Sequence, residues 1–184
     1  MKEEKEIAIR LMADINQQTI ASLMNLVESN LNSGVKQFRL LLSSNGGSVH
    51  HGITAYNFLK GIPAKIITHN IGSIDSIATV VFCAGDERQS VPNGRFFMHS
   101  VTWGSNAPVC LEEKQLKEIL SGLKIDRENI SKIVADNCKK DSTEIEEIML
   151  NGKMFSPDEA KEFGLITRIS EVLLPNNVPV IGIN

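Results

Sequence analysis

A chain of 184 residues, 42% of them apolar, is long enough to bury one substantial core, and a single domain over residues 1–184 is expected. Its net charge of −3, without a Lys/Arg cluster interleaved with aromatics, argues against nucleic acid as a partner. The charged start MKEEKEIAIR lacks a long apolar run and no other run approaches the ~18 residues of a membrane span, so a cytoplasmic protein without membrane contact is expected.

Alternation over Ile7–Met12 predicts a strand, after which Asp14 or Asn16 can cap a helix. In that helix Ile20, Leu23, Met24, Val27 and Leu31 recur at helical spacing, up to a C-capping Gly34. Phe38–Leu42 predicts a second strand, which empties into the small-residue turn Ser43–Ser48 before a helix through Ile53, Tyr56 and Phe58. Strand, glycine turn and helix make one β-α-β step. After Pro63 the step repeats, with Ile66–Ile71 as a buried strand, a small-residue turn holding Ser76, and Ile77–Ala84 as a buried helix. Two successive crossovers predict parallel strands covered by helices, with ligands beyond the strands' carboxyl ends. A polar turn over Gly85–Asn93 precedes a short strand, Arg95–Met98, that delivers His99. Loop composition marks Val101–Pro108. Leu116, Ile119, Leu120, Leu123, Ile130, Ile133 and Val134 then mark a long helix from about Leu111 to Asn137, long enough to project toward another subunit. A short helix over Ser142–Leu150 follows. Ser156 as N-cap, Pro157 at the first helical position, Glu159 reaching back and Gly164 closing predict one more helix. A last strand over Leu165–Ile169 and a tail broken by Pro and Asn complete the chain.

Ser76 at the head of a buried helix would lie among unpaired backbone N–H groups that stabilise an oxyanion. With His99 arriving on the next strand, these are the two parts of an acyl-transfer site that a sequence can display. By residue type alone, Ser76 is equally a helix N-cap and His99 a satisfied, partly buried histidine. Gly46 and Gly47 either make a tight turn or let backbone approach a ligand closely. Neither GxGxxG nor GxxxxGK[ST] is present, so nucleotide binding is not supported. Cys83, Cys110 and Cys138, odd in number and without CxxC spacing, read as reduced thiols, and no metal or organic cofactor is expected.

Taken in order, four segments resemble the ClpP family, the proteolytic subunits of the Clp protease and serine peptidases of the crotonase-like fold. Leu40–Val49 (LLLSSNGGSV) is similar to that family's strand and Ser-Pro-Gly-Gly loop, and Gly72–Ile77 (GSIDSI) to its Gly-x-Ala-x-Ser-Met nucleophile turn. Pro92–His99 (PNGRFFMH) is similar to its Pro-Asn-Ser-Arg-x-Met-x-His segment, and Ser156–Leu165 (SPDEAKEFGL) to its Ser-x-x-Glu-Ala-x-x-Tyr-Gly-Leu. The resemblance spans roughly Ile7–Ile169. It implies an α/β, ClpP/crotonase-like fold of repeated β-α-β units with a projecting long helix. It also implies Ser76 as nucleophile, His99 as general base and the backbone N–H groups of Gly47 and Ile77 as the oxyanion hole. The implied activity is endopeptidase cleavage of peptides or unfolded proteins through a Ser76 acyl-enzyme, without a cofactor. The implied assembly is a homo-oligomer, a heptameric ring stacked in pairs and fed by an AAA+ unfoldase.

Three departures temper what the resemblance implies. The family's catalytic Asp falls a few residues before Ser156, where Leu150–Phe155 (LNGKMF) offers no carboxylate, and Asn151 could orient His99 instead. The turn between Ser76 and His99 is two residues shorter than usual, and Asp75 and Ile77 flank Ser76 where Ala and Met are customary. The chain also starts almost at its first core strand, without the family's N-terminal helix and axial loops, which weakens the expectation of an unfoldase. A catalytically impaired structural or regulatory subunit is therefore the alternative. An acyl-CoA hydratase or isomerase, which shares the glycine-rich oxyanion hole, is a third reading that Ser76 and His99 fit less well.

Overall fold

The computed structural model describes residues 5–104, 108–176 and 178–183. Residues 1–4 of the charged start, 105–107 of the loop expected over 101–108, and Asn177 and Asn184 of the tail lie outside the described residues.

Strands β1 (Glu6–Leu11), β2 (Gln37–Ser44) and β3 (Lys65–Asp75) lie side by side in parallel, joined through α1 (Gln17–Asn32) and α2 (Val49–Gly61). These are the two expected crossovers. Asn16 is the cap of α1: its side chain accepts the N–H groups of Gln18 and Thr19, while the Thr19 hydroxyl accepts the Asn16 N–H. Ser33 ends α1, and Gly34 follows it with a φ of +84°, where an L side chain is strained.

The stretch Gly72–Asp75 is strand rather than turn, because β3 serves two neighbours in succession. Its first half pairs with β4 (Glu87–Ser90) over Ile67–Asn70, and its second half with β5 (Arg95–Met98) over Ser73–Asp75. Ladder bonds use main-chain groups and so need no bulky side chains. At Gly72 bulk is even excluded, since a Cβ would stand 2.9 Å from Ser43 Oγ.

Strand β4 falls within the segment expected to be a polar turn. Its polarity misleads because Arg88 works inside the protein. The Arg88 guanidinium donates to the carbonyls of Gly85, Asn137, Gly164 and Leu165, at the carboxyl ends of α3 (Ala78–Cys83), α4 (Glu113–Cys138) and α6 (Pro157–Phe163). One cation thus satisfies unpaired carbonyls beyond three helices.

The sheet runs β6-β5-β3-β2-β1-β8, with β6 (Lys153–Phe155) antiparallel to β5 and β8 (Val180–Ile183) parallel to β1. The last strand expected over Leu165–Ile169 shrinks to β7 (Arg168–Ile169), because Leu165 and Ile166 bury their side chains as the chain leaves α6. The tail is not wholly irregular. Beyond Pro179 it supplies β8, whose ladder to β1 reaches from Val180 to Ile183.

Phe38, Phe82, Phe96 and Phe155 are fully buried among aliphatic side chains of the sheet and helices, each contributing roughly 1.5–3 kcal/mol of transfer free energy. All six residues of α3 are buried. Helix α4, by contrast, buries only Ile130, Ser131, Val134, Ala135 and Cys138, in its last turns, against α3 and α5 (Ser142–Asn151). Its earlier turns project and leave Leu116, Leu120 and Ile125 more than half exposed. Among the described residues, no helix is long and apolar enough to cross a membrane.

Candidate active site

Ser76 stands where β3 gives way to α3, at a φ of +58°. A non-glycine residue in this left-handed region costs on the order of 1–3 kcal/mol and persists only where its surroundings impose it. Three contacts impose it here. The Ser76 N–H donates to the Phe97 carbonyl at 2.7 Å, which extends the β3–β5 ladder. Asp75 is bound by the Ser73 hydroxyl at 2.6 Å and by Arg95 at 2.8 Å, so its charge is engaged by neighbours on β3 and β5. Gly46 lies directly against the serine, since a Cβ there would be 2.6 Å from Ser76 Cβ. The reading of Ser76 as an N-cap fails. Ile77 occupies the cap position of α3, and no side chain caps that helix end. The serine lies outside the helix on a sharp strand-to-helix turn, a conformation that exposes a hydroxyl at the sheet's carboxyl edge.

Gly47 is held by a single parallel bridge to Ile15. The Ile15 N–H donates to the Gly46 carbonyl and the Ile15 carbonyl accepts from Ser48, both at 2.7 Å. Such a bridge turns the N–H of the residue between them away from Ile15. Among the described residues the backbone N–H groups of Gly47 and Ile77 donate to no protein acceptor. Glycine is required at position 47, because its φ is +142° and a Cβ would overlap the Ile15 carbonyl oxygen at 2.3 Å.

His99 follows β5. Its Nδ1 lies 2.8 Å from the Ser100 carbonyl oxygen, and its ring rests against Phe97 at 5.1 Å between centroids. A carbonyl can only accept, so Nδ1 carries the proton and Nε2 of the neutral ring is free to accept one. Ser76, His99, Gly47 and Ile77 line one cleft, together with Val49, Thr79, Met98, Ser100, Val101, Thr102, Ile130, Val134 and Met149. The structure therefore brings all four expected residues together. Among the described residues no hydrogen bond joins the Ser76 hydroxyl to the His99 ring.

The structure corrects the expectation for the third position. Asn151 ends α5 as an exposed residue, and the His99 Nδ1 is taken by the Ser100 carbonyl instead. Strands β5 and β6 pair Met98 with Lys153, so the next step of that antiparallel register sets Gly152 opposite His99. Gly152, next to the last pair of that ladder, carries no side chain. Main-chain support of this kind leaves no mark on a sequence, whereas Gly46 was visible as half of the Gly-Gly pair.

Beyond these distances, the architecture defines a class: a ClpP/crotonase-like α/β fold with its cleft at the sheet's carboxyl edge. The model of the family described as Clp protease matches residues 2–172. The chain belongs to the Clp protease family, and its fold is that of the ClpP peptidases. Among solved structures it is similar to a mutant form of ClpP1 from Listeria monocytogenes, with a TM-score of 0.79 and 20% identity over 90% of this chain and 91% of that one.

Proposed function

We propose that the chain is a serine endopeptidase that cleaves peptides or unfolded proteins through an acyl-enzyme on Ser76. The observation that carries this reading is the convergence of Ser76, His99, Gly47 and Ile77 on one cleft, with two main-chain N–H groups left unpaired there.

In the first step Ser76 Oγ attacks the scissile carbonyl carbon and His99 Nε2 takes the hydroxyl proton. The carbonyl oxygen becomes an oxyanion bound by the N–H groups of Gly47 and Ile77. As the C–N bond breaks, His99 gives that proton to the leaving amine. Water then repeats the sequence on the ester and restores the serine. The Ser100 carbonyl keeps the productive tautomer, so the ring is aimed correctly without a carboxylate. A carbonyl dipole stabilises the imidazolium less than a full negative charge does, so turnover is slower than in an enzyme with a complete triad. Exposed Leu116, Leu120 and Ile125 along α4 support the family's homo-oligomeric ring assembly, and a cytoplasmic setting suits the three unpaired cysteines.

A second reading, a ClpP-like structural subunit without activity, draws on the missing Ser76–His99 hydrogen bond and the absent side chain at Gly152. A fluorophosphonate separates the two. The peptidase is labelled on Ser76 alone, and Ser76→Ala loses labelling together with a 10⁴-fold or larger part of its peptide cleavage, as roughly expected for loss of a nucleophile. An assembled oligomer that resists the reagent is a structural subunit.

A further inference from the structure

Arg95 opens β5, and its guanidinium reaches across to the end of β3. Its Nη2 donates to Asp75 Oδ2 at 2.8 Å and its Nε to Ser73 Oγ at 2.9 Å, while the Ser73 hydroxyl donates to Asp75 Oδ1 at 2.6 Å. The three side chains thus close a cycle of hydrogen bonds. Its direction is fixed, because a guanidinium only donates, a carboxylate only accepts, and the hydroxyl between them does both. Asp75 is 6% exposed, and Arg95 supplies the cation that a carboxylate so far from water requires.

The cycle spans the whole of the β3–β5 ladder, which consists of the pairs Ser73–Arg95, Ile74–Phe96 and Asp75–Phe97. Ile74 and Phe96 are fully buried on the core side, and the cycle lies on the opposite face. Apolar burial alone does not choose this register. Strand β5 carries two phenylalanines in succession, so a slip by one residue would turn Phe97 inward in place of Phe96 with no loss of aromatic burial. The same slip would turn Arg95 toward the core and carry His99 to the other face of the sheet. Arg95 bound to Asp75 and Ser73 excludes it. The register in turn sets where the base arrives. The Ser76 N–H meets the Phe97 carbonyl at 2.7 Å, and His99 lies two residues further on with its ring against Phe97. Orientation of the imidazole is then left to the Ser100 carbonyl.

We propose that Arg95 is a positioning residue for cleavage: through Asp75 and Ser73 it holds β5 against β3 in the register that brings His99 to Ser76. This inference rests on the peptidase reading of the cleft. Neither Arg95 nor Asp75 lines that cleft, so the clamp acts on the reacting groups and touches no substrate.

The test compares Arg95→Gln, Asp75→Asn and the double variant in hydrolysis of a fluorogenic peptidyl coumarin amide. Each is expected to lower kcat at least ~10-fold, within the roughly 100-fold that about 1 Å of misplacement costs, and to leave KM within ~2-fold. The double variant loses no more than the worse single one, since each change opens the same cycle. A pair that only stabilised the fold would lower the melting temperature and leave the kcat of the folded enzyme in place. Unchanged kcat, a loss carried by KM, or losses that multiply in the double variant overturn the inference. Should Arg95→Gln fail to fold, Ser73→Ala removes the middle of the cycle without removing a charge, and an unmoved kcat there overturns the inference equally. Amide hydrogen exchange at Ser76 reads the register without chemistry, because that N–H donates to Phe97, and it quickens in Arg95→Gln. Quickened exchange in a chain whose Ser76 resists fluorophosphonate leaves the clamp standing and removes the hydrolysis. Labelled Ser76 with kcat unmoved in Arg95→Gln does the reverse.

Discussion

The two arms of the cleft are built to different standards. On the nucleophile's side, Ser76 is fixed by a ladder bond to Phe97, by Gly46 against its Cβ and by an ion pair on the residue before it, with a wholly buried helix behind. On the other side, His99 follows a four-residue strand and, among the described residues, its ring makes one hydrogen bond, donated by Nδ1 to the carbonyl of the next residue. The contrast shows which element is preorganised. Strain is held at the serine, where many contacts share it, while the imidazole depends on one bond formed within two consecutive residues.

Disturbing the well-braced arm has the larger consequence. In Gly46→Ala the new methyl group would fall 2.6 Å from Ser76 Cβ and 2.9 Å from the Asp75 carbonyl, at a φ of +99° that alanine resists. The serine must move, and displacement of a reacting atom by about 1 Å costs roughly 100-fold. Peptide cleavage and fluorophosphonate labelling rate should both fall by at least that factor, and Gly46→Ala activity within a few fold of the parent would show that the elbow is not tightly set.

Strengthening the weaker arm gives a smaller effect of opposite sign. An added side chain at position 152 meets only Phe97, at 3.8 Å, but the φ of +71° with a ψ of 115° strains any L residue there, which offsets part of the gain. Cross-strand partners bring their Cβ atoms to about 4.5–5.5 Å, so Gly152→Asp puts a carboxylate within reach of the His99 ring. About a 10-fold rise in kcat is expected, modest because the tautomer is already correct. Asn151→Asp, on an exposed helix end, should change kcat less than about 2-fold. A larger gain from position 151 than from 152 would mean that the register between β5 and β6 shifts in the working enzyme.

Much of this was legible in the sequence, and the reasons are local. Asn16, Ser156 and Glu159 make capping boxes that show in the order of residues, and the parallel crossovers follow from apolar runs separated by glycine turns. Ser76 and His99 stood out because each ends an apolar run, although their meeting depends on β3 changing neighbours between Asn70 and Ser73. What stayed hidden involves contacts between distant segments. Arg88 made a buried strand look like a turn, the tail of the chain returned to pair with β1, and the partner of His99 is a main-chain atom that any residue type would provide.

The smallest effect separates the site from the scaffold at acid pH. His69, in the middle of β3, is 1% exposed and its Nε2 lies 3.0 Å from the Ser170 carbonyl. Burial holds its pKa below the usual 6.5, with further lowering from Arg39 and Arg168. The unfolded chain therefore binds this proton at a higher pH than the folded chain does. Stability is full above pH 6.5 and falls as pH drops through the window between 6.5 and the lower folded value, by up to about 1.4 kcal/mol per unit of that gap. His69→Gln, which keeps an N–H for Ser170, should leave cleavage at pH 7 unchanged within about 2-fold and flatten the loss of melting temperature between pH 7 and pH 5. Any fall in cleavage rate that survives in this variant over that range belongs to the cleft, so the pair of profiles isolates the weakly supported base from the sheet behind it. An unflattened melting profile would place the acid-sensitive group elsewhere.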